Sequence, residues 1–200
     1  MRLDERSFLL TDPDWQPLTE GELPPAGAVL GAWTIGGDGA VAPFRSNPDY
    51  RPRDARSAAD PLDAALRLLS KDRAEPEQVQ TLLHEASFEV AVDEHGQPLV
   101  VAAPDGVRCV VVATGVAQRA AAGPDRWRED DLMGLVTALP DAIDVLFNPG
   151  GPVPVRLTGD FLRETLLWSD DDIAAAYGRF HPATPGPVAV LPWVVSAASQ

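Results

Sequence analysis

The sequence predicts an α+β fold: an antiparallel or mixed five-stranded sheet with helices packed mainly on one face, plus an N-terminal β-hairpin. Three observations carry this. Apolar residues alternate at Phe88, Val90 and Val92 and run unbroken from Cys109 to Ala113, the patterns of a half-buried strand and of a strand covered on both faces. They recur at helical spacing at Leu62, Ala65, Leu66 and Leu69, and again at Leu132, Leu135, Val136 and Leu139. The turns between the central runs, Glu94–Gln97 and Pro104–Gly106, are short, so an antiparallel three-stranded meander is the simplest path.

Residues 1–60 form a turn-rich segment. Ala28 to Ile35 and Ala40 to Phe44 flank Gly36-Gly37-Asp38-Gly39, which reads as a hairpin. Pro43 lacks a ladder N–H and puts the second strand at a sheet edge. Residues 61–168 form the main domain. Asp60-Pro61 starts a helix over 61–72, with Asp63, Arg67 and Lys71 every four residues on its polar side. Glu75-Pro76 starts another over 76–84. Strands follow at 88–92, 99–103 and 107–113, the last in a central position. A helix over 130–139 begins behind Glu129, Asp130 and Asp131 and stops at Pro140. Strands at 143–147 and 153–157 and a helix over 159–167, capped by Thr158, complete the domain. Residues 169–200 are a terminal helix behind Ser169 and a proline-rich apolar tail.

Composition narrows function. The chain has 200 residues, of which 45% are hydrophobic and 23% charged, the balance of a globular protein. Asp and Glu outnumber Lys and Arg 30 to 16, for a formal charge of −14. Such a surface repels phosphate backbones and anionic lipid, which argues against nucleic-acid partners. Cys109 stands alone, so no disulfide framework and no cysteine metal cage is expected. The N-terminus reads as no signal peptide, and no run is long enough to span a bilayer, so membrane insertion is not expected and a cytoplasmic location is.

The chemistry-bearing motifs are sparse. Asp170-Asp171-Asp172 lacks the spacing of a calcium loop and suits a helix N-terminus. His84, His95 and His181 form no two-histidine ligand pattern, no serine sits in a nucleophile elbow, and neither glycine cluster is a phosphate loop. No catalytic, cofactor-binding or metal-binding residues are expected. The apolar tail is different. Leu191, Trp193, Val194 and Val195 need a cover. Two stay open: the chain's own domain, by an added edge strand, or a partner or second copy, by strand addition, the latter giving a homodimer.

Two stretches together carry a resemblance. Val110-Val-Val-Ala-Thr-Gly115 followed by Asp144-Val-Leu-Phe-Asn-Pro-Gly-Gly-Pro152, Leu157 and Phe161-Leu162 resembles the SseB-like N-terminal domain. Upstream, Val29-Leu-Gly-Ala-Trp33, Asn47-Pro-Asp-Tyr-Arg-Pro52 and Asp60-Pro-Leu-Asp-Ala-Ala65 are similar to actinobacterial type VII secretion system-associated proteins that carry that domain. The likeness spans about residues 28–167. It implies an α+β module without established catalytic residues, encoded near secretion or toxin-related genes. The turn at Asn148 and Gly150 joins the tail as a candidate partner-binding surface. The expected function is that of a non-enzymatic protein-interaction module, an accessory or adaptor factor whose partner is a secretion component, secreted effector or toxin. Two alternatives stand beside it: an immunity protein against a toxin, and a small carboxylate-dependent enzyme.

Overall fold

A computed structural model describes residues 6–19, 22–36, 42–179 and 190–191. Among them are six α-helices and two sheets. Strands β1 (Arg6–Thr11), β2 (Val29–Ile35), β3 (Arg45–Ser46) and β10 (Val190–Leu191) form an antiparallel sheet in the order β10-β1-β2-β3. β2 and β3 pair antiparallel as a hairpin-like unit, with Gly31 opposite Ser46 and β3 at the sheet edge. The second strand is Arg45–Ser46 and not the expected Ala40–Phe44, whose residues 42–44 lie outside any strand and whose first two lie outside the described residues. Gly31 is required there, because a β-carbon would stand 2.2 Å from the Phe44 ring. The strand between β10 and β2 was not expected. Phe8, Leu9 and Leu10 are all buried, so β1 has no wet face to give it a period of two.

The second sheet has six strands. β4 (Phe88–Ala91), β6 (Arg108–Ala113), β7 (Trp127–Asp130), β8 (Asp144–Phe147) and β9 (Val155–Leu157) run in the order β7-β4-β6-β8-β9. β5 (Val100–Ala102) pairs with the first half of β6. The run at 107–113 is central as expected. β4 and β5 share one of its edges and β8 takes the other. The meander is modified, since β4 and β5 meet only at the Val92–Pro98 bridge while β4 pairs with β6 directly. β8 runs parallel to β6, so the sheet is mixed. Two elements differ from the sequence reading. Trp127–Asp130, expected to lead into a helix, is the edge strand β7, and α3 (Val116–Ala122) was not anticipated.

The remaining helices are α1 (Pro61–Leu69), α2 (Pro76–Glu85), α4 (Leu132–Ala138), α5 (Gly159–Leu166) and α6 (Asp170–Arg179). Their ends follow local chemistry: Asp60, Asp131 and Thr158 each accept a backbone N–H two or three residues into the helix they cap. One continuous core joins both sheets. Phe8, Leu30 and Trp33 pack with Leu62 and Leu66 of α1, and these with Val79 and Leu83 of α2 and with Phe88, Val90, Val110, Val112, Val145 and Phe147 of the second sheet. Burying each such side chain contributes about 1.5–3 kcal/mol. α3 packs against β6, and its Arg119 pairs at 2.8 Å with Glu89, on the side of β4 turned away from Phe88 and Val90.

Candidate functional site

Because β6 and β8 are parallel, their carboxyl ends meet at one end of the sheet, the place where open α/β sheets form crevices. Thr114 follows β6 and Asn148 follows β8. The N-terminus of α1 lies against both, and a polar cluster fills the junction. Asn148 has a left-handed backbone, φ 53°, a conformation asparagine tolerates better than most residues. Its Oδ1 accepts from the Thr114 backbone N–H at 2.9 Å, and its Nδ2 donates to Asp63 Oδ1 at 3.1 Å. The Thr114 hydroxyl donates to Asp60 Oδ2 at 2.7 Å.

Asp63 and Arg67 overturn the expectation of a solvated helix face. Both are buried, at 1% and 3% exposure. Arg67 grips the carboxylate with Nε at 2.9 Å and Nη2 at 2.7 Å, and Nη1 donates to the Arg56 carbonyl. The Ala59 backbone N–H and Gln118 Nε2, both at 3.0 Å, complete the shell around Asp63. The polar side of α1 is covered because the 50–60 connection and α3 wrap it. Lys71, one turn on, does reach the surface and stands 3.9 Å from Asp14.

Asp60 behaves differently. It caps α1 by accepting from the Asp63 N–H at 2.8 Å, and it lines a cleft of about 250 Å³ with Thr114, Leu82 and Glu85. Loss of hydration pushes its carboxyl up to about 6, against the opposing pull of the Asp63 N–H and the Thr114 hydroxyl. Among the described residues no cationic side chain pairs with it. Gln118, only 5% exposed, has its Oε1 without a hydrogen-bond donor.

A second concavity, a trough of about 530 Å³, lies on the face of the second sheet away from the core. Val101 and Leu146 form its floor, and Pro104, Pro149, Gly150 and Pro154 its rim. Arg156 closes one end, paired with Asp105 at 2.9 Å and Asp144 at 3.7 Å.

The sequence-expected positions separate accordingly. Gly150 lies on the trough's rim, whereas Asn148 is 2% exposed and spends its side chain inside the polar cluster. Gly150 has φ 82°, and a β-carbon there would stand 2.3 Å from the Ala121 carbonyl oxygen, so this turn is locked against the end of α3. Leu191 belongs to β10, whose backbone pairs with Ser7 and Phe8 of β1. Trp193, Val194 and Val195 lie outside the described residues. Cys109 is buried, and desolvation raises its thiol pKa. Asp170, Asp171 and Asp172 occupy the first turn of α6, where the Asp172 N–H bonds Ser169 Oγ at 3.2 Å and the Ser169 N–H bonds Asp172 Oδ2 at 2.9 Å. His84 Nε2 donates to the Thr165 carbonyl oxygen, 2.6 Å away, and the ring stacks on Trp168. Among the described residues no three His, Cys, Asp or Glu side chains group as a metal site, and no helix is long and apolar enough to cross a membrane.

Sequence reasoning missed the Asp63–Arg67–Asn148–Thr114 cluster. The only local signal was Asp60 as a cap and the acid-first spacing of Asp63 and Arg67, which an exposed helix shares. No protein-family model, no curated protein and no solved structure matches this chain.

Proposed function

We propose that the protein is a non-enzymatic interaction module working in the cytoplasm as an accessory or adaptor factor of a type VII-type secretion locus, with the open face of its second sheet as the receiving surface. The observation that supports this is the trough itself. An apolar floor of Val101 and Leu146, half-buried in the free chain, sits inside a rim of prolines, Gly150 and the Arg156 ion pairs. An apolar centre with charged groups at one end of its border matches the anatomy of an interface. The charge of −14 steers a basic partner toward it.

The test is calorimetric titration of the purified protein with the purified products of its adjacent genes. One of them is expected to bind, and Leu146→Asp or Val101→Asp to weaken it about thirtyfold, the loss of one central anchor. Full affinity in both variants, or no binding by any adjacent product, overturns the proposal. If the bound product is a toxin that loses its activity in the complex, the immunity role replaces the adaptor role.

The enzyme reading draws on one observation, the Thr114 hydroxyl held 2.7 Å from Asp60 on the wall of a cleft. Helix capping and the bond to Asn148 already account for that arrangement, and Thr114 is 8% exposed. We therefore favour the interaction module.

A further inference from the structure

We propose that the outer edge of β5 receives an extended basic segment of a partner protein as an added strand, which lays an apolar side chain in the trough. This rests on the trough as the receiving surface and names what the trough receives.

The hydrogen bonds of β5 leave one of its sides open. The Ala103 N–H donates to the Val107 carbonyl at 2.8 Å, and the Leu99 carbonyl accepts from the Val111 N–H at 3.4 Å. Positions 99, 101 and 103 are therefore the hydrogen-bonded positions opposite β6. By the alternation of an antiparallel ladder, Val100 and Ala102 turn their backbone groups away from it. Among the described residues no strand or loop backbone pairs with them on that outer side. Two N–H groups and two carbonyls, repeated at a spacing of two residues, form the template for an added strand. The other edges of this sheet are guarded: β7 carries Arg128, Glu129 and Asp130, and β9 begins after Pro154, which has no N–H. β5 itself is Val-Val-Ala, with neither charge nor proline.

The trough sets the side chains of that segment. Val100 packs toward the core, and Val101 forms part of the trough floor. A residue paired opposite Val101 has its side chain on the same face, so an apolar group there extends the floor of Val101 and Leu146. Its neighbours along the segment point to the other face, where a lysine or arginine head reaches water. Charge selects the occupant. Two copies of a chain at −14 repel one another, whereas a basic segment is attracted.

The experiment is calorimetric titration of the full chain with three end-capped peptides: Lys-Val-Lys-Val-Lys, the same peptide N-methylated at its three central residues, and Glu-Val-Glu-Val-Glu. The first is expected to bind at least tenfold more tightly than the other two, and its addition to slow hydrogen exchange at the Val100 and Ala102 amides. Ala102→Pro removes an outward N–H that β6 does not use, a position where an edge strand tolerates proline. It should weaken the first peptide at least tenfold with melting unchanged, and Leu146→Asp should weaken it as well. Full affinity for the N-methylated peptide, full affinity in Ala102→Pro, or no binding of the first peptide overturns strand addition. Each of these leaves the trough reading to its own titration with the adjacent gene products, so the two fail separately. Equal affinity for the acidic peptide overturns the basic occupant. A dimer of the chain alone in sedimentation, returned to monomer by Ala102→Pro, assigns the edge to a second copy and overturns the proposal.

Discussion

Replacing Asp63 with asparagine removes one charge from the centre of the polar cluster at nearly constant volume. The carboxylate is 1% exposed and receives five donors: two from Arg67, and one each from Ala59, Gln118 and Asn148. Asparagine has a single oxygen to offer them and presents an N–H₂ to donors that need acceptors. Arg67, 3% exposed, is left as a buried cation without a counter-charge, with the Arg56 carbonyl and at most the one amide oxygen as acceptors. Breaking one side of a buried ion pair costs about 3–5 kcal/mol, a large share of the roughly 5–15 kcal/mol that holds a domain together. For a chain of this length that is a fall in Tm of about 10 °C. Urea unfolding at pH 7.5 gives the value directly, and the buried Trp33 is a built-in fluorescence probe of the transition. The double variant Asp63→Leu with Arg67→Met removes both charges and should cost less than Asp63→Asn alone. A loss below about 1 kcal/mol for the single variant, or a double variant as costly as the sum of the two singles, refutes the account of a desolvated pair.

Asp60 should make stability fall as pH rises. Its carboxyl titrates near 6 when folded and near 4 when unfolded, so the proton it holds in the native state adds stability below pH 4 that is lost through pH 6. Two pH units correspond to about 3 kcal/mol, reduced to about 1–2 kcal/mol by solvent in the cleft. Denaturation at pH 4, 5, 6 and 7 should show this component in the native chain and not in Asp60→Asn; parallel profiles would sink it. Gly150→Ala meets both a positive φ and the Ala121 carbonyl and should lose about 1–3 kcal/mol in urea titration; an unchanged midpoint would mean the turn is not locked to α3. Deleting residues 182–200 removes β10 but leaves β1 paired with β2 along its whole length. The truncated chain should still melt cooperatively, a few degrees lower, and a broad, non-cooperative transition in calorimetry would contradict this.

The elements that could be read from the sequence are those whose information is local. Asp60-Pro61 and Thr158 announce their helices within three residues, and Phe88-Glu89-Val90 carries its own alternation. Cys109 to Ala113 announced burial on both faces, and the structure places it in the middle of the sheet with all five residues buried. The missed elements lack such signals for physical reasons. β7 is an edge strand, and its residues Trp127, Arg128, Glu129 and Asp130 are partly or fully exposed, so no apolar period marks it. α3 starts at Gly115 without a side-chain cap and consists largely of alanine, which forms helix without an amphipathic stripe. β1 owes its place to partners at residues 29–35 and at 190–191, the latter more than 180 positions away in the chain.

The polar cluster has the same origin on a larger scale. Thr114 and Asn148 lie 34 residues apart, and Asp63 and Asn148 lie 85 apart, so no sequence window holds two of the three. What joins them is the parallel pairing of β6 and β8, which ends both strands side by side and leaves the Thr114 N–H beyond the ladder, needing an acceptor. Asn148 supplies it by adopting a left-handed backbone that turns its amide back across the strand end. Its second amide group then needs an acceptor of its own, and Asp63 provides one only because α1 is pressed against this junction. Once Asp63 is buried there, Arg67 must follow it inward, because an acid and a base four residues apart on one helix share a face. The spacing that looks like a surface ion pair is thus a consequence of tertiary burial, and the cost of removing one partner rises from a few tenths of a kcal/mol on an exposed helix to about 3–5 kcal/mol here.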